Sequence, residues 1–550
     1  MKKSTNLEVL VDPYDDVLFA DCAVRPSQVE SLFDTLAARG VSTVSWYYYA
    51  DDHGGLISPF TPTPNEPSRS RFDTWQECNL LAVAVKAAHA RGIRLMAAFK
   101  PYETGIVLIS ADEASRQKTQ TLWHGGRMVM GIDPFVVAHP ELRLCRRPQT
   151  NVPTRRVSAI ELWKEDDAPT QIRKDNLELL ASEENRNYRP LAVPFDFAEE
   201  FKTVEQDQVD AAGNVVVPAG RRVRVLRLSG LDFAAPYWAL RCRGLEGDGD
   251  FAGLATRMMR VYDSDGVLID GCSTGKRIYY DREQKGLVEG VTFDKGWDCR
   301  RQVLDEPGEY IAFTAPKPFY VTGSLCETEP AVCDFWLEEI QAILATGADG
   351  VEIRVENHSC MSNTPEDYGF NPAVLAACGD GNPTVEQVAK VRGDAYTAFL
   401  QEAARRIHAA GRIVRLYLSI DGLSIPQPPD RRLAFPQNLE LQWRRWLREG
   451  LADEGLLRAY NERNRRGALT HPLTAEISNE CANLGIPLYF SHHAFYPYEP
   501  WYLEEAQRIR ADGRFAGLSL YENNSLFHCN AESVWQPLPG TEEFMAALVH

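Results

Sequence analysis

Residues 351–358 read Val351-Glu352-Ile353-Arg354-Val355-Glu356-Asn357-His358, so ionisable and branched apolar side chains alternate. In a strand that alternation puts Val351, Ile353 and Val355 on one face and Glu352, Arg354 and Glu356 on the other. Charged groups on a covered face are costly unless they pair or react. Glu352 with Arg354 reads as a structural ion pair or as part of a site. Glu356, at the strand end, is the first catalytic candidate. A second segment repeats the pattern: Val414, Leu416, Leu418 and Ile420 alternate with Arg415, Tyr417, Ser419 and Asp421. Asp421 closes that strand and is the second candidate; its plainer role is a loop anchor or helix cap before Gly422. Two carboxyl groups at neighbouring strand ends suit glycoside hydrolysis. One must be protonated to help the leaving group depart, and the other must be ionised to attack carbon or activate water. A separation of about 5–5.5 Å gives retention and about 6.5–9.5 Å inversion.

Other chemistry-bearing residues fall at the ends of further strand-like segments. Leu520-Tyr521-Glu522-Asn523-Asn524 offers Glu522 as a third carboxylate, although parity turns Tyr521 inward and Glu522 needs a local twist or bulge to follow. Ser491-His492-His493 puts His493 on the inward side; adjacent histidines point apart, which disfavours a metal cage. Lys100 faces inward with Glu103 in the following loop, and His358 lies just past Glu356. Aromatic side chains gather at the same ends: Tyr47, Tyr49, Tyr417 and Tyr521, with Phe495, Tyr496, Tyr498 and Trp501 after the His pair. Aromatic planes beside carboxylates suit the apolar faces of sugar rings, whereas alternate members of an aromatic run also serve as plain core. Arg354, His358 and His493 would position substrate or separate the carboxyl pKa values.

These positions require a scaffold that brings strand ends together. The opening and closing thirds alternate strand, loop, amphipathic helix and Gly. Val17–Asp21, Val41–Tyr49 and Ile93–Phe99 are the first three expected strands, with helices from about Ser27 to Arg39 and from about Thr74 to Arg91. Gly350–Glu356, Arg412–Ile420, Leu456–Tyr460, Ile486–Ser491 and Phe515–Tyr521 supply five more. Eight such strands fit a closed (β/α)8 TIM barrel, whose active groups sit on the loops after the strands. Between about Arg155 and Tyr320 the pattern becomes strand after strand with turn signals, which fits a β-sandwich-like domain inserted after strand three. The expected division is 1–120 and 326–550 for the barrel and 121–325 for the insert with its linking segments.

A length of 550 residues suggests two or three domains. The formal charge of −18 disfavours nucleic acid and anionic membrane surfaces as partners. No apolar run reaches the roughly 20 residues of a membrane span, and the first ten residues lack a signal-peptide core. Twelve scattered cysteines include no CxxC pair, so reduced thiols in a cytoplasmic protein are expected. No cofactor is expected.

Several segments resemble bacterial glycoside-hydrolase-like barrel proteins, the family-10-like and amylase-type glycosyl hydrolases. They are Ala84 to Ile93, His139 to Arg143, Gly347 to Arg354, Trp446 to Glu454, and Tyr521-Glu522. The resemblance implies a glycosidase-type barrel with carboxylates ending strands four and five, matched here by Glu356 and Asp421. It departs from the amylase pattern in carrying Arg354-Val355-Glu356, where that pattern has Asp after an Arg. The leading expectation is a glycoside hydrolase with a carbohydrate substrate. Alternatives are a non-catalytic sugar-binding protein on a degenerate barrel, and a metal-dependent lyase or isomerase using His493.

Overall fold

The computed structural model describes residues 6–13, 16, 20, 22, 24–48, 78–103, 105–109, 128–132, 135, 139–147, 156–164, 166–182, 189–209, 215–235, 237–243, 256–269, 278–281, 286–289, 310–313, 320–356, 368–379, 382–423, 436, 438–459, 467–493 and 498–549. The chain divides into two compact units, one of Met1–Ala111, Met130–Arg147 and Tyr320–His550, the other of Asp112–Val129 and Pro148–Phe319.

The first unit is a closed barrel of eight parallel strands. They are β1 (Asn6–Val11), β2 (Thr43–Tyr48), β3 (Arg94–Phe99), β4 (Gly350–Ile353), β5 (Ile413–Ser419), β6 (Glu454–Arg458), β7 (Leu488–His493) and β8 (Gly517–Tyr521). The helices that follow them are α1 (Pro26–Ala37), α2 (Leu80–His89), α3 (Pro330–Ala345), α4 (Val385–Ala409), α5 (Trp443–Arg448), α6 (Pro472–Leu484), α7 (Pro500–Ala511) and α8 (Thr541–Val549). β8 pairs back on β1, Asn6 opposite Gly517, and closes the barrel. The protein is a (β/α)8 barrel.

The first strand is not where the sequence pattern put it. The barrel's first strand is Asn6–Val11; of the expected Val17–Asp21, all but Ala20 lies outside the described residues, and Ala20 N–H donates to Asp16 O at 3.0 Å. The true β1 carries Glu8 at its centre, which lowers its apparent strand character. That carboxylate is fully buried and accepts hydrogen bonds from Ser45 Oγ at 3.0 Å and Arg415 Nη1 at 2.7 Å.

Glu8 belongs to an ionic layer across the base of the barrel. Arg415 reaches Glu8, Glu352 at 3.2 Å and Glu454 at 2.8 Å, and Arg94 forks onto Glu454 at 2.6 and 3.1 Å. Arg354 pairs with Glu352 from above. Three carboxylates thus meet three guanidinium groups, which offsets the cost of dehydrating them. Burial alone would raise the Glu352 carboxyl, yet Arg354 and Arg415 hold it below the ordinary range.

Two matching clamps tie neighbouring strands at the same end. Asp349 Oδ2, just before β4, accepts from Leu95 N at 2.8 Å and pairs with His89 Nε2 at 3.0 Å. Asp453 Oδ2, just before β6, accepts from Val414 N at 2.8 Å and pairs with His408 Nε2 at 2.8 Å. In each case the His lies in the last turn of a helix, a Gly with positive φ follows three residues later (Gly92, Gly411), and the next strand begins.

The second unit lies between β3 and β4 in sequence. Two four-stranded antiparallel sheets contribute to one apolar cluster. Ile160, Leu226 and Val261 come from one sheet, and Leu179, Trp238 and Leu240 from the other.

Replacing Arg415 by Met leaves Glu8, Glu352 and part of Glu454 without their shared cation. The loss expected is about 3–5 kcal/mol, the usual cost of breaking a buried pair. It is read as a fall in the urea midpoint of the barrel's transition. Adding Glu8→Gln to that variant recovers part of the loss, because one uncompensated carboxylate is removed.

Candidate active site

Above the ionic layer the inward positions are Tyr47, Arg354 and Tyr417. Arg354 is wholly enclosed: its Nε faces Glu352, its Nη1 donates to Tyr47 OH at 2.8 Å, and its guanidinium lies 5.0 Å from the Tyr47 ring centre and 4.8 Å from that of Tyr417. Its Nη2 is buried with no hydrogen-bond partner among the described residues.

The next layer holds Glu356, just past β4. Its carboxylate is 6% exposed. Oε2 accepts from Tyr417 OH at 2.5 Å and from Arg458 Nη1 at 3.4 Å. Oε1 is buried and has no hydrogen-bond partner among the described residues. A carboxylate held on one oxygen and bare on the other is costly as plain structure, and the bare oxygen is where a reacting group can be met.

Arg458, the last residue of β6, organises this side. It donates to His493 Nε2 at 2.9 and 3.3 Å and stands 3.5 Å over the Tyr521 ring. Because a guanidinium only donates, His493 Nε2 accepts and its ring proton sits on Nδ1. His493 packs edge-on against Tyr521, with ring centres 4.9 Å apart. Burial opposes the charge of Arg458, but Glu356 beside it raises its pKa well above the ordinary value.

A second carboxylate set comes from the chain's two ends. Asp12 and Asp16 follow β1, Glu522 follows β8, and all three are buried. Asn523 Nδ2 donates to both oxygens of Asp16 at 3.0 Å. Burial pushes the Asp16 carboxyl well above the usual range; the Asn523 hydrogen bond opposes this, and Asp12 and Glu522 add to it. The charges of Glu522 and Glu356 both act on the Tyr521 hydroxyl, and Asp12 acts on Lys100.

Lys100 pairs with Glu103 at 2.7 Å and its Nζ stands 4.0 Å from the Tyr47 ring centre. Burial works against its charge, and Glu103 and Tyr47 raise its pKa regardless. Asp421 is fully buried in a short helix, Ile420–Leu423, at the end of β5. Trp501 lies on the helix-facing side, 5.8 Å from the His492 ring and 4.3 Å from that of Tyr502, and is not brought to Glu356. His492 points the same way, to Glu505 at 3.2 Å. Tyr498 is structural, bonded to Ser525 O and Thr541 Oγ1 at 2.6 Å. Tyr49, His358, Phe495 and Tyr496 lie outside the described residues. Among the described residues, no three His, Cys, Asp or Glu side chains are grouped as a metal site requires. No described helix is long and apolar enough to cross a membrane.

Asp12, Asp16, Asn523 and Arg458 were not singled out in the sequence. Arg458 was within reach: Glu454, Leu456 and Arg458 share one parity, and starting the sixth strand two residues earlier exposes the pattern. Asp16 gives no such signal, because it stands just before the expected strand Val17–Asp21, not at the end of one.

No family model matches the chain, and no curated sequence relative matches it. Among solved structures, α-L-fucosidase isoenzyme 2 from Paenibacillus thiaminolyticus is similar over 99% of this chain and 49% of its own, at 11% identity and a TM-score of 0.40. The chain therefore spans about half the length of that protein. The catalytic domain of β-amylase from Paenibacillus polymyxa is similar over 100% and 98%, at 7% identity and a TM-score of 0.35. A morphinone reductase in complex with tetrahydroNAD is similar over 94% and 82%, at 9% identity and a TM-score of 0.32. Likeness this distant carries no argument about activity.

Burial pushes the hydroxyls of Tyr47, Tyr417 and Tyr521 above the phenol range, since a dehydrated phenolate is disfavoured. Spectrophotometric titration checks this. In Tyr417→Phe, the native amplitude near pH 10 should stay unchanged, while the amplitude in denaturant falls by one tyrosine. A smaller native amplitude would mean that the phenol is open to water.

Proposed function

We propose that this chain is a glycoside hydrolase acting on an oligosaccharide or glycoside, with Glu356 as the ionised partner of a carboxyl pair. The observation that carries the reading is the Glu356 carboxylate, fixed through Oε2 by Tyr417 and Arg458 and, among the described residues, without a partner at Oε1. A nucleophile or water-activating base needs that arrangement: one oxygen anchored, the other presented, and a cation nearby.

The complementary role belongs to a carboxyl that keeps its proton. The set Asp12, Asp16 and Glu522 offers the right environment, because crowded buried carboxyls cannot all ionise. Glu522 is the proposed acid; it stands near the buried Asp16, whose carboxyl is raised chiefly by burial, with Glu522 adding to the rise. Asp421, at the end of β5, is the substitute for either role. Tyr47, Tyr417 and Tyr521 line the reacting region and Arg458 with His493 orients Glu356; Lys100 and Glu103 complete the rim. In the proposed reaction the acid protonates the glycosidic oxygen as its bond to the anomeric carbon breaks. Glu356 attacks that carbon, or takes a proton from the water that does.

The two roles separate by leaving group. Glu356→Gln should lower turnover by about 10³-fold or more on every substrate while retaining ligand affinity. Glu522→Gln should lose comparable activity on alkyl glycosides and little on aryl glycosides whose phenols leave unaided. Steady-state kinetics on such a pair of substrates is the measurement. Full turnover in Glu356→Gln would falsify the assignment, and sugar binding without turnover in the unaltered chain would favour a non-catalytic barrel.

A further inference from the structure

The chain's two ends meet again just beyond the Asp16–Asn523 contact. Cys22 Sγ and Cys529 Sγ lie 3.5 Å apart, although 507 residues separate them. Cys22 is half-buried and Cys529 is buried. Cys22 follows Asp16 by six residues (22 − 16), and Cys529 follows Asn523 by six (529 − 523). On the far side, Trp535 Nε1 donates to Gln28 O at 2.7 Å. Contacts on both flanks therefore hold the two sulfur-bearing segments against each other.

We propose that Cys22 and Cys529 form a modification site, a dithiol that closes to an intrachain disulfide by exchange with a small-molecule disulfide. The bond requires S–S of about 2.05 Å, so the sulfurs must close by about 1.5 Å, which is small against the swing of a cysteine χ1 rotation. Cys22, the more exposed thiol, loses its proton and attacks the oxidant, whose far sulfur leaves as a thiolate. Cys529 then attacks the Cys22 sulfur of the mixed disulfide and expels the second small thiol. The chain gives up two protons and two electrons, and the oxidant becomes two thiols. Four of the other described thiols compete poorly: burial pushes Cys145 up to about 11, and Cys326, Cys333 and Cys481 up to about 12. The disulfide would turn the seam that holds Asp16 and Asn523 into a covalent one.

The test equilibrates the full chain with glutathione disulfide at about pH 8, where thiolate is available, then alkylates and maps peptides without reduction. The expected result is a Cys22–Cys529 linked peptide, the loss of two alkylatable thiols from these positions, and reversal by dithiothreitol. Cys529→Ala should instead collect a glutathione adduct on Cys22. The proposal is overturned if the unaltered chain keeps that adduct on Cys22 with Cys529 still a thiol, or if both remain thiols at equilibrium. The pairing does not rest on the hydrolase reading, and peptide mapping is indifferent to turnover.

Discussion

Arg415 is the interaction on which the barrel depends. A closed eight-stranded barrel must fill its interior with side chains, and this one fills its base with ions. Glu8, Glu352 and Glu454 come from β1, β4 and β6, and one guanidinium from β5 reaches all three. No apolar residue at 415 could answer three carboxylates at once. The charges balance only because Arg94 and Arg354 supply the other two cations. That neutrality lets strands with charged centres close into a barrel.

The same layer supports the mouth. Arg354 has one nitrogen on Glu352 in the base and another on Tyr47 above, and its guanidinium lies near both Tyr47 and Tyr417. Tyr417 in turn holds Glu356, and the Tyr47 ring lies under Lys100. Position therefore passes upward through three layers of side chains, each locked by the one below. A reacting carboxylate needs that kind of support to stay within a fraction of an ångström of its working geometry.

Strand alternation made much of this legible. The inward sets of β4 and β5 can be read from 352, 354, 356 and 415, 417, 419 without a structure. β1 could not be read, because a charged Glu8 looks wrong for a core strand until Arg415 is known to sit 2.7 Å away. The segments that resemble glycosidase-type barrels have a different lesson. His89 with Asp349, and His408 with Asp453, clamp the base of the barrel, opposite the end where the strands deliver their catalytic candidates. Those motifs encode how strands are joined, which is why they point to fold more firmly than to chemistry.

The two carboxylate environments differ in how the chain assembles them. Glu356, Tyr417, Arg458 and His493 come from β4, β5, β6 and β7, four successive strands. That half can form as neighbouring units pack. Asp12 and Asp16 come from one end of the chain and Glu522 and Asn523 from the other, so the second half exists only once β8 has paired with β1. A hydrolase of the proposed kind needs both halves, and closure is therefore a condition for chemistry as well as for stability. It also accounts for the density of contacts along the seam: the Asp16–Asn523 bonds, the Cys22–Cys529 approach, the Gln28–Trp535 bond and the Arg39–Glu542 pair all join residues roughly 500 positions apart. Long-range closure carries a chain-entropy cost that grows only slowly with loop length, so a handful of such contacts can hold the last joint shut.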